Sequence, residues 1–171
     1  PGGAGLLHRD SIEFDEQRFP VMVRSQRLVP DSGGAGRQRG GPATEVVFGP
    51  RHDPMTLSIM GGGAINPPLG VLGGRNANNS YHGHIKTDGS EESQPNGVML
   101  TLGAGEFVRS IDNGGSGYGD PLLRRTEAVL EDVVEKFVTR QTAEELYGVV
   151  LTGDAADGTL AVDDRASAAR R

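Results

Sequence analysis

Two arginines within a glycine-rich segment are the first residues whose spacing could support chemistry. Residues 30–41 read PDSGGAGRQRGG and place Arg37 and Arg39 two positions apart. In extended backbone such residues point the same way, so both guanidinium groups could hold one anion. The surrounding glycine N–H groups would add a phosphate-binding nest. The alternative is a structural bulge in which the arginines pair with Asp31 or with other acids, and the sequence leaves both hypotheses open.

A pair of histidines offers a second, weaker possibility. His82 and His84 lie on one side of a predicted strand, where two imidazoles could act as a two-ligand metal clip. No carboxylate or third histidine stands at a clear companion spacing. The chain has no cysteine and no Gly-x-Ser-x-Gly nucleophile motif. The residues alone therefore identify no catalytic group.

A second glycine run, DNGGSGYGDP at residues 112–121, lies between a predicted strand and a predicted helix. That order is typical of dinucleotide-binding folds, but Asp120 stands where the third glycine belongs and would repel a pyrophosphate. The run therefore favours a structural turn. We expect eight glycines of the two runs to form turns and close strand crossings: Gly33, Gly34, Gly36, Gly40, Gly114, Gly115, Gly117 and Gly119.

The apolar pattern predicts an α+β fold, a mostly antiparallel β-rich domain followed by a C-terminal helical segment. We expect strands at residues 19–29, 44–48, 55–60, 81–86, 97–102 and 106–111, the last two joined as a hairpin. Asp120 is the expected N-cap of a helix from 122 to 137, with Asp132 on its outer side. A second helix is expected at 142–147, capped by Thr142, before a short strand at 149–151.

These elements suggest three regions. Residues 1–119 form the β-rich domain with a mobile polar loop at about 75–96. Residues 120–151 hold the C-terminal helices and the short last strand, and residues 152–171 are a partly ordered tail.

Composition excludes several classes of protein. The 171 residues carry a formal net charge of −6 and no basic cluster, which argues against nucleic acid as a partner. No apolar stretch approaches the roughly 20 residues of a membrane span. The absence of cysteine fits a cytoplasmic location.

The order of the motifs resembles the C-terminal third of the hydantoinase B/oxoprolinase family. The resemblance rests on RFPVMV at 18–23, the glycine segment within 28–41, NPPLGVLGG at 66–74, the second glycine run within 105–121 and EELYGVVL at 144–151. Gln38 stands where the family often has an aromatic residue.

The resemblance implies an ATP-dependent hydrolase of cyclic amides such as hydantoin or 5-oxoproline. It implies a hetero-oligomer in which an A-type subunit binds ATP and magnesium, while a metal ion belongs to a partner or to the N-terminal B-type portion. It implies no cofactor on this chain. A non-catalytic structural or assembly subunit of a related ketone carboxylase is the alternative. Under either hypothesis the anion or interface candidates are Arg37, Arg39, Asp31 and Tyr118.

Overall fold

The computed structural model describes residues 11–171, so the first ten residues of the predicted β-rich domain lie outside the described part. The α+β prediction is confirmed. The strands are β1 (Val21–Val29), β2 (Ala43–Pro50), β3 (Met55–Ile59), β4 (Tyr81–Ile85), β5 (Glu91–Ser93), β6 (Val98–Leu102), β7 (Phe107–Ile111), β8 (Leu151–Thr152) and β9 (Ala161–Val162). The α-helices are α1 (Ile12–Arg18), α2 (Thr126–Val134), α3 (Arg140–Glu145) and α4 (Asp164–Arg170).

Five of the strands form one antiparallel sheet in the order β1-β2-β7-β4-β5. Strand β3 pairs with β6, and β8 pairs with β9. The hairpin expected between residues 97–102 and 106–111 is wrong, because β7 pairs with β2 and β4 instead. Gly105, at φ 80°, and a hydrogen bond from Gly103 N–H to the Glu106 carboxylate (2.7 Å) turn the chain away from β6.

The polar segment 75–96 contributes two strands to the main sheet, where the sequence suggested one short strand. Strand β4 lies between β7 and β5, and β5 forms an edge whose three residues are all exposed. We name β4, β5 and their connecting turn the polar edge. The Tyr81 hydroxyl donates to the Glu91 carboxylate across it (2.9 Å).

The helix expected from 122 to 137 is divided in the structure. Asp120 does cap, since its Oδ1 accepts from Leu122 N–H at 2.9 Å, but it caps a single 3₁₀ turn, Pro121–Leu123. Arg125 then adopts an extended ψ of 137°, and α2 begins one residue later without a side-chain cap. At the other end Lys136, with φ 61°, lies beyond the last helical residue. The predicted span was therefore wrong at both ends.

The next cap was also placed wrongly. Thr139, not Thr142, caps α3: its hydroxyl accepts from the Thr142 N–H at 3.2 Å. The last strand of the helical region begins at Leu151 and pairs with β9 of the tail. The tail ends in α4, whose Ser167 is buried and whose hydroxyl accepts from Val150 N–H (2.9 Å).

The main apolar core lies among the C-terminal helices and the first glycine-rich segment. Tyr147 is its largest fully buried residue, and Ala35 brings the glycine segment into it. The other buried members are Val129, Val138, Ala143, Val149 and Leu151. This packing fixes residues 30–41 against α2 and α3. None of the helices between residues 11 and 171 is long and apolar enough to span a bilayer.

Candidate functional site

The two glycine runs contact each other directly. We call residues 33–41, 70–76 and 114–119 together the glycine crossing. Gly34 N–H donates to Gly115 O and Gly115 N–H donates to Gly41 O, both at 2.9 Å. Gln38 and Tyr118 exchange two further backbone hydrogen bonds of 2.9 Å. The crossing is therefore a short ladder built outside the regular strands.

The third segment completes the ladder on the other side. Gly117 N–H donates to Arg75 O and Gly119 N–H to Val71 O, each at 2.9 Å. Val71 in turn donates to Gly117 O at 3.0 Å. These N–H groups have protein acceptors already, so they do not converge on an open space as a phosphate-binding nest requires.

Close backbone approach explains why glycine occupies these positions. A Cβ on Gly40 would lie 1.8 Å from Gly115 O, and one on Gly117 would lie 2.0 Å from Ala35 O. Of the eight glycines expected to turn the chain, Gly119 has a positive φ of 75°. The other seven, Gly33, Gly34, Gly36, Gly40, Gly114, Gly115 and Gly117, each have backbone within 3.0 Å of such a Cβ. The geometry favours strand crossing over left-handed turns.

Arg39 points into the protein. Its Nε lies 3.1 Å from Asp132 Oδ1, and the Arg124 guanidinium approaches Asp132 Oδ2 at 2.8 Å. The side chains of Arg39, Asp132 and Arg124 are 13%, 6% and 14% exposed. Arg39 also lies 5.0 Å from the ring centroid of Phe137. Asp132 therefore joins α2 to the glycine crossing and does not lie on the outer side of a helix, as the sequence suggested.

Arg37 is exposed to water. Together with Gln38, Leu123, Arg124, Arg125 and Ala128 it lines a cavity of about 400 Å³. We call this cavity the arginine pocket. Arg124 spans the two environments, since it also donates to the backbone oxygen of Arg37 at 3.3 Å. Arg37 and Arg39 thus do not share one anion.

Asp31 and Tyr118 form hydrogen bonds with the backbone of other segments. Asp31 adopts φ 60°, and its Oδ1 accepts from Thr139 N–H at 2.9 Å. It forms no ion pair with Arg37 or Arg39 in the described residues. Tyr118 bridges Gln38 and Val71 through its backbone and leaves its ring half exposed.

The two histidines lie on β4 and contact different partners on the neighbouring elements. His82 Nδ1 is 2.9 Å from Ser110 Oγ, and His84 Nε2 is 3.4 Å from Glu106 Oε2. The Gly103 N–H and, to a smaller degree, His84 hold the pKa of Glu106 below its ordinary value. Across residues 11–171 no group of three His, Cys, Asp or Glu side chains is arranged to hold a metal ion.

Tyr147 lies in the apolar core that contains Ala35 of the glycine crossing. Burial raises the pKa of Tyr147 from its ordinary value of 10.0 to about 12, while the nearby Arg124 and the Gly36 N–H act in the opposite direction. Sequence reasoning missed the roles of Asp132, Arg124 and Tyr147. The charge of Asp132 suggested solvent, and an arginine partner 93 residues earlier in the chain leaves no local pattern.

Comparison with known proteins places these features in a family. The sequence model described as hydantoinase B/oxoprolinase matches residues 4–121. The caprolactamase subunit beta of Pseudomonas jessenii is 36% identical over 98% of this chain and 29% of its own length. The acetone carboxylase alpha subunit of Xanthobacter autotrophicus is 28% identical over 94% of this chain and 25% of its own length.

A solved structure shows the same fold. The crystal structure of the ATP-dependent caprolactamase from Pseudomonas jessenii superposes with a TM-score of 0.78 at 33% identity, over 94% of this chain and 28% of that one. The chain thus spans less than a third of the length of the relatives it matches.

Proposed function

Because the chain belongs to the hydantoinase B/oxoprolinase family, we propose that it is the C-terminal portion, or a small split subunit, of an enzyme that hydrolyses a cyclic amide at the expense of ATP. The substrate class is a lactam or related ring such as hydantoin or 5-oxoproline. The reaction requires an A-type ATP-binding subunit and the N-terminal B-type portion. A hetero-oligomer is therefore part of the proposal, as is a cytoplasmic location, where ATP is supplied.

The observation that carries the proposal is the similarity to caprolactamase subunit beta. It covers 98% of this chain, so it includes the glycine crossing, the C-terminal helices and the tail together. The carboxylase relative is likewise a subunit of an enzyme. Similarity over the whole chain supports a part that works within a larger assembly.

ATP, magnesium and a metal ion belong, in this proposal, to the partner subunits or the N-terminal portion. The described residues do not fit a metal, because His82 and His84 contact Ser110 and Glu106 and no third ligand joins them. We therefore assign no catalytic step to a metal on this chain. The contribution of residues 11–171 is to shape and hold the boundary of the reactive centre.

One exposed apolar surface fits contact with the rest of the B-type portion. Leu72 is 71% exposed, and half-exposed Tyr118 lies beside it through the Val71 bridge. Since the relatives are more than three times longer than this chain, a large part of their structure is available to cover such a surface. Leu72 has φ 51°, a conformation that Asp tolerates, so Leu72→Asp tests the contact without backbone strain.

Copurification measures that contact. Leu72→Asp should lower the yield of chain bound to a tagged N-terminal B-type portion. The matched control is Met99→Asp on β6, which is 66% exposed and lies elsewhere on the surface. Equal yields from both variants would show that Leu72 does not contact the N-terminal portion.

A carboxylase role is the second candidate, favoured by the similarity to acetone carboxylase alpha subunit. In that case the chain would support assembly of an enzyme that carboxylates a ketone. The two reactions differ in the substrate that each requires.

Reconstitution separates them. The chain, the N-terminal portion and the A-type subunit are combined, and ADP release is measured with caprolactam, hydantoin, 5-oxoproline, or acetone plus bicarbonate. We expect ADP release to depend on a cyclic amide and on the presence of this chain. ADP release with acetone plus bicarbonate alone would support the carboxylase role, and full amide turnover without this chain would contradict both.

A further inference from the structure

The arginine pocket carries a charge that the protein itself does not neutralise. Arg37 and Arg125 are exposed and form no ion pair with any acid in residues 11–171. Asp132 pairs with Arg39 and with Arg124, so two of the four guanidinium groups in this region have a carboxylate partner and two have none. Glu127, in the first turn of α2, does not line the cavity. This excess of positive charge occurs in a chain of net charge −6.

The shape of the pocket suits a small ligand. Its volume is about 400 Å³, and its wall contains three guanidinium-bearing residues and the amide of Gln38. Guanidinium groups form forked pairs of hydrogen bonds with phosphate and carboxylate oxygens. A group with two negative charges gains more than a single carboxylate from several such neighbours.

The geometry points to a binding site for a phosphate group, held by Arg37 and Arg125 with Arg124 as the fixed third wall. This site is distinct from the phosphate nest that was one of the two hypotheses for the glycines, whose N–H groups have protein acceptors. Arg124 is held in place by Asp132 and by the Arg37 carbonyl, so the pocket is partly formed before a ligand enters. The phosphate comes either as the free inorganic ion or as the terminal group of a nucleotide. The inference stands on the pocket alone and does not require the proposed amide hydrolysis.

Calorimetric titration of the full chain with sodium phosphate tests the site. We expect saturable binding with a Kd of about 1 mM or tighter in low salt. The Arg37→Ala/Arg125→Ala double variant should bind at least about tenfold more weakly, and added salt should weaken binding to the unaltered chain. Both positions are exposed, so the fold should survive, and circular dichroism checks this.

The matched control is Arg165→Ala, which removes an exposed charge on α4 away from the pocket and should change the Kd less than about twofold. Arg125→Lys should bind phosphate more weakly than the unaltered chain but more tightly than the double variant, since lysine keeps the charge but lacks the forked donor geometry. ADP and acetate form the comparison arms: tighter binding of ADP than of phosphate identifies a nucleotide as the source, and the reverse identifies the free ion. The proposal is wrong if phosphate binding does not saturate, or if acetate binds as tightly as phosphate. It is also wrong if the double variant and Arg165→Ala bind phosphate with equal affinity.

Discussion

The glycine crossing and the polar edge use the same kinds of residues in opposite ways. In the crossing, backbone contacts backbone, no Cβ fits at seven of the glycines, and the charges of Arg39 and Asp132 are buried against each other. At the polar edge, Lys86 and Glu92 pair at 2.9 Å with side chains that are 45% and 62% exposed. Substitution of a glycine or removal of a charge should therefore destabilise the protein more in the crossing than at the polar edge. In the crossing the backbone leaves no space for a side chain, and the charges are shielded from water.

The largest effect is expected from Gly40→Ala. The new Cβ would lie 1.8 Å from Gly115 O, an approach that only backbone movement can relieve. We expect a loss of about 3 kcal/mol or more in the free energy of unfolding, or failure to fold. Urea denaturation followed by circular dichroism measures it.

The neighbouring glycine is the matched control. A Cβ on Gly41 has nothing within 4 Å, and the residue has no positive φ. Gly41→Ala should change the free energy of unfolding by less than about 1 kcal/mol. Equal losses from Gly40→Ala and Gly41→Ala would contradict the close crossing.

Asp132→Asn should rank second. The change leaves the guanidinium groups of Arg39 and Arg124 largely buried without their shared carboxylate, at a cost of about 3 kcal/mol. The exposed neighbour Glu131→Gln, on the same helix, should be nearly neutral. Thermal unfolding compares the two variants, and similar midpoints would show that the buried network contributes little.

Alkaline pH should weaken the core beneath the crossing. The pKa of Tyr147 is raised from 10.0 to about 12 in the folded protein because burial favours the neutral phenol. This contribution is complete below pH 10 and is lost as the pH rises toward 12. The stability difference between the unaltered chain and Tyr147→Phe should therefore shrink or reverse over that range. A difference that stays constant from pH 9 to pH 12, within about 0.3 kcal/mol, would argue against a buried neutral phenol.

The smallest effect is expected at the polar edge. Lys86 holds the pKa of Glu92 below its ordinary value, so the pair is charged at neutral pH and loses its attraction only as acid protonates Glu92. Because both groups are in water, Lys86→Ala should leave the thermal midpoint at pH 7 unchanged, with or without salt. A drop comparable to that of Asp132→Asn would remove the contrast between the two regions.

Local patterns predicted much of the fold. Alternating apolar residues located β1, β2, β3 and β6, and the order of the motifs identified the family. The capping ability of Asp120 was also visible, but the extended Arg124 and Arg125 between the 3₁₀ turn and α2 were not. The break coincides with an ion pair between Arg124 and Asp132, eight residues apart, which apolar periodicity does not reveal.

The site was harder to predict for the same reason. The spacing of Arg37 and Arg39 suggested a common direction, yet one faces water and the other contacts Asp132. Arg39 contacts Asp132, 93 positions away, and the Arg37 carbonyl contacts Arg124, 87 positions away; periodicity reveals neither contact. Glycine-rich composition likewise permits both a phosphate nest and a close crossing, and only the hydrogen-bond partners of the N–H groups separate them.

Amide hydrogen exchange followed by NMR, with and without phosphate, tests the role of the glycine crossing most directly. We expect the amide protons of Gly34, Gly115 and Gly117 to be protected from exchange and not to shift when phosphate is added. The amides of Leu123 and Arg125 at the arginine pocket should shift. Fast exchange at the three glycines together with phosphate-induced shifts there would show that the glycine runs bind the anion themselves, and the structural interpretation would be wrong.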